Sequence, residues 1–179
     1  VTYDGIGRVL TETDAKGFIT ENTYREYSSG KSVVTKRNGI TLQTQKFNVG
    51  GQLVATTDAE NNSIAYNYDA LGRKVEEVHP LSTVLQFEYD EVGNLESFKD
   101  GENRETTYTY DARNQKETET LDGITTTYEY DDAGNQTALI DGKNLRWAYT
   151  YTKLNQLETI TTPDNVVTEH QYDLAGNRR

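Results

Sequence analysis

Two histidines and several pairs of adjacent carboxylates are the residues of this sequence with the most obvious catalytic chemistry. His79 and His170 are the only histidines among 179 residues, and cysteine is absent. A histidine next to Ser or Thr can act as the general base for a nucleophile, and two converging carboxylates can hydrolyse a glycosidic bond. The lack of cysteine excludes a cysteine nucleophile, disulfide bonds and cysteine-ligated zinc.

The context of these residues does not favour an active site. His79 lies in the turn-like phrase VHPLS, and His170 takes a position at which other segments have Tyr or Phe. Adjacent carboxylates such as Glu76–Glu77 and Asp131–Asp132 point to opposite faces of a strand, so they do not converge. The phrases DGEN and DGKN contain only part of a calcium-loop pattern. We therefore predict no catalytic residues, no metal site and no cofactor.

The composition limits the partners of the protein. A net charge of −11 argues against binding to nucleic acid, because phosphate recognition needs a basic surface. No apolar run approaches the roughly 20 residues of a membrane-spanning helix. Thirteen tyrosines favour β-strands over disorder. Trp147 is the only tryptophan, and it fits either a packed position on a sheet face or a platform for sugar stacking.

An internal repeat determines where these residues lie. A phrase of the form YDxxG, with x any residue, returns every 20 or 21 residues from Phe47 onwards. The aromatic residue that starts the phrase is Tyr3, Phe47, Tyr68, Tyr89, Tyr110, Tyr130, Tyr151 or Tyr172. The Asp after it is Asp4, Asp69, Asp90, Asp111, Asp131 or Asp173. The fifth residue is always Gly or Asn, the types that most readily adopt positive φ in tight turns: Gly7, Gly51, Gly72, Gly93, Asn114, Gly134, Asn155 and Gly176.

A second turn signal follows fourteen residues after each start. It consists of Gly17, Asn61, Ser82, Asn103, Asn144 and Asn165, and in the unit of Tyr110 the equivalent Gly123 comes one residue earlier. Between the two turns, segments such as TTYTYD and TTYEYD alternate in polarity as half-buried strands do. Each unit is therefore predicted to be two antiparallel strands with two turns, and the fold class is predicted to be all-β.

The repeat also assigns a structural role to its recurring side chains. We expect each Asp to accept hydrogen bonds from turn amides, and Arg73 or Asn94 to bond neighbouring carbonyls. We further expect four tyrosines to be largely buried and aligned between units, so that replacing any one with alanine costs about 3–5 kcal/mol: Tyr89, Tyr110, Tyr130 and Tyr151. Between Tyr3 and Phe47 there is room for one degenerate unit near Tyr24 or Tyr27, with residues 25–46 departing furthest from the pattern.

These phrases carry a family resemblance. YDALGRKV, YDEVGNLE and YDLAGNRR, at a period near 21 residues, resemble the YD repeat of Rhs proteins. The resemblance covers the whole chain, residues 1–179, as one repeat array, apart from the degenerate segment 25–46. The departures are Phe47–Asn48, Asn114 and Tyr151–Thr152, which keep an aromatic residue and a residue suited to positive φ.

The resemblance implies more than the spacing does. Bacterial Rhs proteins, the BC component of Tc toxins and, more distantly, teneurins build long antiparallel sheets that curve into a hollow β-shell. In the bacterial members the shell encloses a C-terminal toxin. The resemblance thus implies a non-enzymatic segment of a secreted or cell-surface shell, cut from a longer chain. Its partners would be neighbouring repeats and a toxin cargo from the same parent chain.

Two further possibilities remain open from the sequence. The first is an extracellular adhesion or carbohydrate-binding module of a cell-surface protein. The second concerns the ends of the segment, where unpaired strand edges would favour self-association through edge-to-edge pairing. The absence of cysteine favours a bacterial source over an animal one.

Overall fold

The computed structural model describes residues 1–179, and nearly all of its regular structure is antiparallel β-sheet. The only helical segment is one 3₁₀ turn at Pro80–Ser82. This confirms the all-β fold class. No helix in the chain is long and apolar enough to span a bilayer.

The chain divides into two compact units, Val1–Phe87 and Glu88–Arg179. In the first unit each strand pairs antiparallel with the next one along the chain. Its strands are β1 (Thr2–Tyr3), β2 (Val9–Thr13), β3 (Ile19–Tyr27), β4 (Gly30–Arg37), β5 (Ile40–Asn48), β6 (Leu53–Asp58), β7 (Ser63–Tyr68), β8 (Lys74–Val78) and the first part of β9 (Val84–Tyr89).

The second unit repeats the same sequential pairing. Its strands after β9 are β10 (Leu95–Lys99), β11 (Glu105–Tyr110), β12 (Lys116–Leu121), β13 (Ile124–Tyr130), β14 (Gln136–Ile140), β15 (Arg146–Tyr151), β16 (Leu157–Thr161) and β17 (Val167–Glu169). Most strands have five or six residues, because a turn signal recurs about every ten residues.

A β-bulge recurs beside the aromatic residue of the motif. Tyr110 is opposite Lys116, but Thr109 is opposite Thr118, so Glu117 is an extra residue on β12. The same shift occurs next to Tyr3, Phe47, Tyr68, Tyr130 and Tyr151. An extra residue on one strand re-aims the side chains around it and increases the local twist. The bulge is therefore part of the repeat rather than an irregularity.

The two faces of the strands differ in character. On β11 the tyrosines Tyr108 and Tyr110 are half-buried, whereas Thr107 and Thr109 point to the opposite, exposed face. Threonine hydroxyls hydrogen-bond across strands on that face, as between Thr109 and Thr118 at 2.7 Å. One face is therefore aromatic and the other is rich in threonine.

The four tyrosines that the sequence predicts to be largely buried are partly covered, and none of them is exposed. Tyr89, Tyr110, Tyr130 and Tyr151 are only half-buried, and the sole fully buried hydrophobic residue of the chain is Ala138, at 0% exposure. The reason is that each unit is a single layer of strands, in which a side chain is covered by its neighbours on the same face and by no second layer. Packing within the layer and hydrogen bonding therefore contribute most of the stability.

The degenerate segment has the longest strands in the protein. β3 and β5 have nine residues and β4 has eight, and they are joined by Ser28–Ser29 and by Asn38–Gly39. The sequence places the motif tyrosine of this degenerate unit at Tyr24 or Tyr27, and in the structure each of these residues has part of its role. Tyr24 lies 21 residues after Tyr3 and makes the hydroxyl bond of the motif, but β3 continues to Tyr27 before the chain turns.

The YD motif as the candidate functional site

The turn formed by the YDxxG phrase of each repeat unit is closed by two backbone hydrogen bonds. The amide of Asp69 donates to the carbonyl of Arg73 at 3.0 Å, and the amide of Gly72 donates to the carbonyl of Asp69 at 3.0 Å. All eight residues at the Gly or Asn position have positive φ, between 58° and 102°, as the sequence predicts. The same pair of bonds closes the turns at the other end of the units, for example at Asp141.

The aspartate carboxylate holds the turn from inside. Oδ1 of Asp69 accepts hydrogen bonds from the amides of Leu71 and Arg73, both at 2.9 Å. The same two bonds recur at Asp4, Asp90, Asp111, Asp131 and Asp173, and at the opposite ends of the units at Asp14, Asp58, Asp100 and Asp141. Where Thr152 replaces Asp, its hydroxyl oxygen accepts the equivalent bonds at 3.2 and 3.3 Å.

The residue after the glycine completes the same turn. Nε of Arg73 donates to Oδ2 of Asp69 at 2.7 Å, and Nδ2 of Asn94 donates to Oδ2 of Asp90 at 2.8 Å. Nδ2 of Asn94 also donates to the side-chain carbonyl Oδ1 of Asn114, in the neighbouring turn, at 3.1 Å. For Arg73 a bond to a neighbouring carbonyl stays a prediction. Glutamine at this position does reach a neighbouring carbonyl: Gln115 donates to the carbonyl of Gly134 at 3.0 Å.

The tyrosine hydroxyl links each unit to the preceding one. The hydroxyl of Tyr110 donates to the carbonyl of Leu95 at 2.8 Å, and that of Tyr151 donates to the carbonyl of Gln136 at 2.9 Å. The acceptor lies fifteen residues earlier, and fourteen for Tyr130, whose unit follows the shortened Asp122–Gly123 turn. Equivalent bonds are made by Tyr24, Tyr68 and Tyr172. Phe47 has no hydroxyl, so it cannot donate this bond.

Two units contain a lysine between aromatic rings. Nζ of Lys116 lies 4.6 Å from the ring centre of Tyr128 and 5.6 Å from that of Tyr108, and it pairs with Glu119 at 2.6 Å. Lys74 has the same arrangement with Tyr66, Phe87 and Glu77. Burial lowers the pKa of Lys116, but its hydrogen bonds to Glu119 and Tyr128 outweigh this and raise the pKa above the ordinary value. The lysine therefore remains charged and joins two neighbouring repeats through cation–π contacts.

Replacing Lys116 with methionine is expected to lower the free energy of unfolding by about 1 kcal/mol, because methionine retains the apolar stem but loses the ion pair and the cation–π contacts. Urea unfolding of Lys116→Met measures this loss. Lys143→Met, in an exposed turn, is the control and should stay within about 0.5 kcal/mol of the parent. Equal effects in the two variants would contradict a structural role for the lysine between the rings.

The carboxylates of the turns make stability dependent on pH. Hydrogen bonds lower the pKa of Asp4 mainly through the Arg8 side chain, that of Asp69 mainly through the Arg73 amide, and that of Asp131 mainly through the Asn135 side chain. A pKa lowered by folding gives stability that is present above the unfolded-state pKa and is lost as pH falls through the folded-state pKa. The unfolded value is about 3.9.

The melting temperature is therefore expected to stay nearly constant from pH 7 to about pH 5 and to fall steeply below about pH 4. Circular dichroism melts at 0.5 M NaCl measure this, since the salt screens long-range repulsion between charges. The same melting temperature at pH 3 and pH 7 would contradict the assignment of the aspartates as the main turn-stabilising groups.

The histidines and paired carboxylates do not assemble into a reactive group. Nε2 of His79 lies 2.7 Å from Oε1 of Glu77, in the turn that precedes Pro80. His170 is buried, and its backbone amide donates to the carbonyl of Glu158 at 2.8 Å. Glu76 and Glu77 pair with residues on opposite faces of β7, as adjacent strand residues must. No group of three or more His, Asp or Glu side chains is placed to hold a metal ion.

Comparisons with known proteins agree with the repeat geometry. The sequence profile of the teneurin YD-shell matches residues 78–179, and that of the RHS repeat matches residues 47–84. No curated protein sequence matches the chain.

Solved structures share the fold. The crystal structure of TcdB2-TccC3-Cdc42 matches with a TM-score of 0.61 at 18% identity, over 99% of this chain and 13% of that chain. The structure of TcdB2-TccC3 without its hypervariable C-terminal region gives 0.63 at 16% identity, over 98% of this chain and 14% of the other. The present chain thus spans only about one seventh of the chains that it matches. Because the YD-shell profile matches more than half of its residues and the RHS profile matches most of the preceding two units, the chain belongs to the teneurin YD-shell family of Rhs-type repeats.

Proposed function

We propose that this chain is a non-enzymatic wall segment of an Rhs-type β-shell that encloses a C-terminal toxin until its delivery. The observation that carries the proposal is that the aspartates of the motif and most of its tyrosine hydroxyls are engaged with other repeat residues. The aspartates bind the amides of their own turns, and tyrosine hydroxyls bind the preceding unit. Such residues build a wall and leave few groups for chemistry on a substrate.

The mechanism of this function is exclusion. Within each compact unit the consecutive strands are hydrogen-bonded to one another, so their backbone groups are paired. A wall built of such sheets would separate a cargo from solvent without binding it specifically. The likeness to the TcdB2-TccC3 chains supports a place for this segment in a larger assembly, since it accounts for about 13% of such a chain. A secreted or cell-surface location follows from the same proposal.

Limited proteolysis of the full-length parent protein tests the enclosure. We expect its C-terminal domain to resist the protease in the parent and to be digested when Tyr110 and Tyr130 are both replaced by alanine, because loss of two links between units opens the wall. Lys143→Ala is the matched control and should keep the domain resistant. The proposal would be overturned if the protease digested the C-terminal domain as fast in the intact parent protein as in its isolated form.

A second candidate function is adhesion at a cell surface, with carbohydrate as one ligand. It is favoured by the match of residues 78–179 to the teneurin YD-shell and by the half-exposed aromatic face that includes Trp147 and Tyr149. A glycan array probed with this chain separates the two candidates. Two results together would establish adhesion instead of enclosure. One is glycan binding that is lost in Trp147→Ala, and the other is a full-length parent protein that has no enclosed C-terminal domain.

A further inference from the structure

The charge of the chain is distributed unevenly. Residues 27–57 contain four basic residues and no Asp or Glu, although the chain as a whole has 29 acidic residues and a net charge of −11. This is the longest acid-free stretch of the sequence, and it covers most of the degenerate unit. The departure from the YD pattern therefore coincides with a local excess of positive charge.

The strand register places two of the cations on either side of a small buried residue. Arg25 on β3 is opposite Ser32 on β4, and Ser32 is opposite Lys46 on β5. Opposed residues on one face lie about 5 Å apart between neighbouring strands, so the two cationic residues are about 10 Å apart. Ser32 is 5% exposed. Its short side chain is therefore covered, whereas the long side chains of Arg25 and Lys46 on either side of it are exposed.

These two cations have no carboxylate partner. The ion pairs of the first compact unit involve Arg8, Arg37, Arg73, Lys74 and His79, but neither Arg25 nor Lys46. The adjacent row on the same face consists of Thr23, Val34 and Thr44, and the residue opposite Lys46 on β6 is Ala55. No acidic side chain therefore lies in the rows around Ser32 to neutralise the two charges.

A phenol adds a polar group and an apolar surface at the edge of this row. Ser32 Oγ donates to the hydroxyl of Tyr27 at 3.4 Å. This bond lowers the pKa of Tyr27, and the nearby Arg25 and Lys46 lower it further. The Tyr27 side chain is 55% exposed. It borders a pocket of about 470 Å³ that is also lined by Lys46, Phe47 and Val54.

From this arrangement we propose that Arg25, Lys46 and the hydroxyl of Tyr27 bind a carboxylate of an acidic polypeptide segment, while an adjacent apolar side chain of that segment occupies the pocket beside Tyr27. The guanidinium, the ammonium and the phenol hydroxyl can each donate to a carboxylate oxygen, because Tyr27 accepts the Ser32 hydrogen and keeps its own free to donate. Two cations do not suffice for nucleic acid, whose binding uses about six to ten phosphate contacts. The net charge of the whole chain, −11, also repels a dense polyanion such as nucleic acid. A single acidic side chain can still approach the local positive charge of Arg25 and Lys46.

Fluorescence anisotropy with a fluorescein-labelled peptide of five glutamates alternating with phenylalanines tests the proposal. The double variant Arg25→Gln/Lys46→Gln is expected to bind this peptide at least about tenfold more weakly at low salt, because it lacks both charge-assisted bonds. Tyr27→Phe is expected to weaken binding about threefold through loss of one hydroxyl. The control Lys16→Gln/Lys143→Gln changes the net charge equally, at exposed turns, and should change the affinity by less than about twofold.

Three other outcomes of these binding measurements would decide against the proposal. Equal binding of a peptide with glutamine in place of glutamate would show that the carboxylates are not recognised. Tighter binding of a 20-base-pair DNA duplex that is lost in the double variant would assign the site to nucleic acid. A dimer that dissociates in the double variant, without any peptide binding, would assign it to a second copy of this chain. Matching circular dichroism melts confirm that the variants remain folded.

Discussion

Alanine at Gly30 is expected to lower the free energy of unfolding by about 3 kcal/mol or more, because it adds both backbone strain and a steric clash. Gly30 has φ of 138°, which L-residues rarely adopt. A Cβ at this position would lie 1.9 Å from the carbonyl oxygen of Phe47 and 2.8 Å from the carbonyl carbon of Asn48. Both are backbone atoms of β5, which pairs with β4 at this point. They can move only if the two strands separate.

The contribution of the clash can be separated from that of the backbone conformation. Gly39 also has positive φ, 81°, but a Cβ there meets no atom within 4 Å. Gly39→Ala should therefore cost only about 1 kcal/mol, the penalty for the left-handed conformation. Urea unfolding of both variants measures the difference. Equal losses of unfolding free energy in the two variants would show that the strands around Gly30 and Phe47 relieve the clash without energetic cost.

Alanine at Tyr110 is expected to cost about 2–3 kcal/mol, which is less than the value for a fully buried ring. The ring is half-buried on a single-layer sheet, so truncation removes only part of the area that a core tyrosine would bury. The change also removes the hydroxyl that donates to the carbonyl of Leu95 at 2.8 Å. The same substitution at Tyr130 or Tyr151 should give a similar loss, because their environments repeat.

Phenylalanine at Tyr110 isolates the hydroxyl from the ring. We expect Tyr110→Phe to lose about 1 kcal/mol, the usual net value of one hydrogen bond. Phe47 shows that the repeat accepts an aromatic ring without the hydroxyl. Chemical denaturation of the phenylalanine and alanine variants gives the two contributions by difference. If the phenylalanine variant loses as much as the alanine variant, ring packing at this position contributes nothing.

The turns were predictable from the sequence because their requirement is local. Positive φ at Gly72 or Asn114 depends on a few consecutive residues, and only Gly and Asn meet it readily. The one-residue deletion at Asp122–Gly123 was predictable for the same reason. The all-β class followed from the spacing of such turns.

The partners of side chains were less predictable, because they depend on register. A bulge beside each motif aromatic decides which side chains share a face, and nothing in the single sequence specifies it. The hydroxyl acceptor fifteen residues earlier depends on the register of two neighbouring strands, and the row of Arg25, Ser32 and Lys46 depends on the register of three. The exact extent of burial was not predictable, because a tyrosine-rich strand has the same sequence pattern in a single layer as in a packed core.

The direction of the tyrosine bonds has a consequence for biosynthesis. Each of the hydroxyl bonds made by the motif tyrosines connects the tyrosine to a carbonyl fourteen or fifteen residues closer to the N-terminus. When such a tyrosine leaves the ribosome, its acceptor has therefore already been made, and the preceding hairpin is available to receive it. Contacts this close in sequence form quickly, and nascent chains fold from their N-terminal side. The sheet can thus lengthen hairpin by hairpin at the pace of translation, with each new unit fastened to one that already exists.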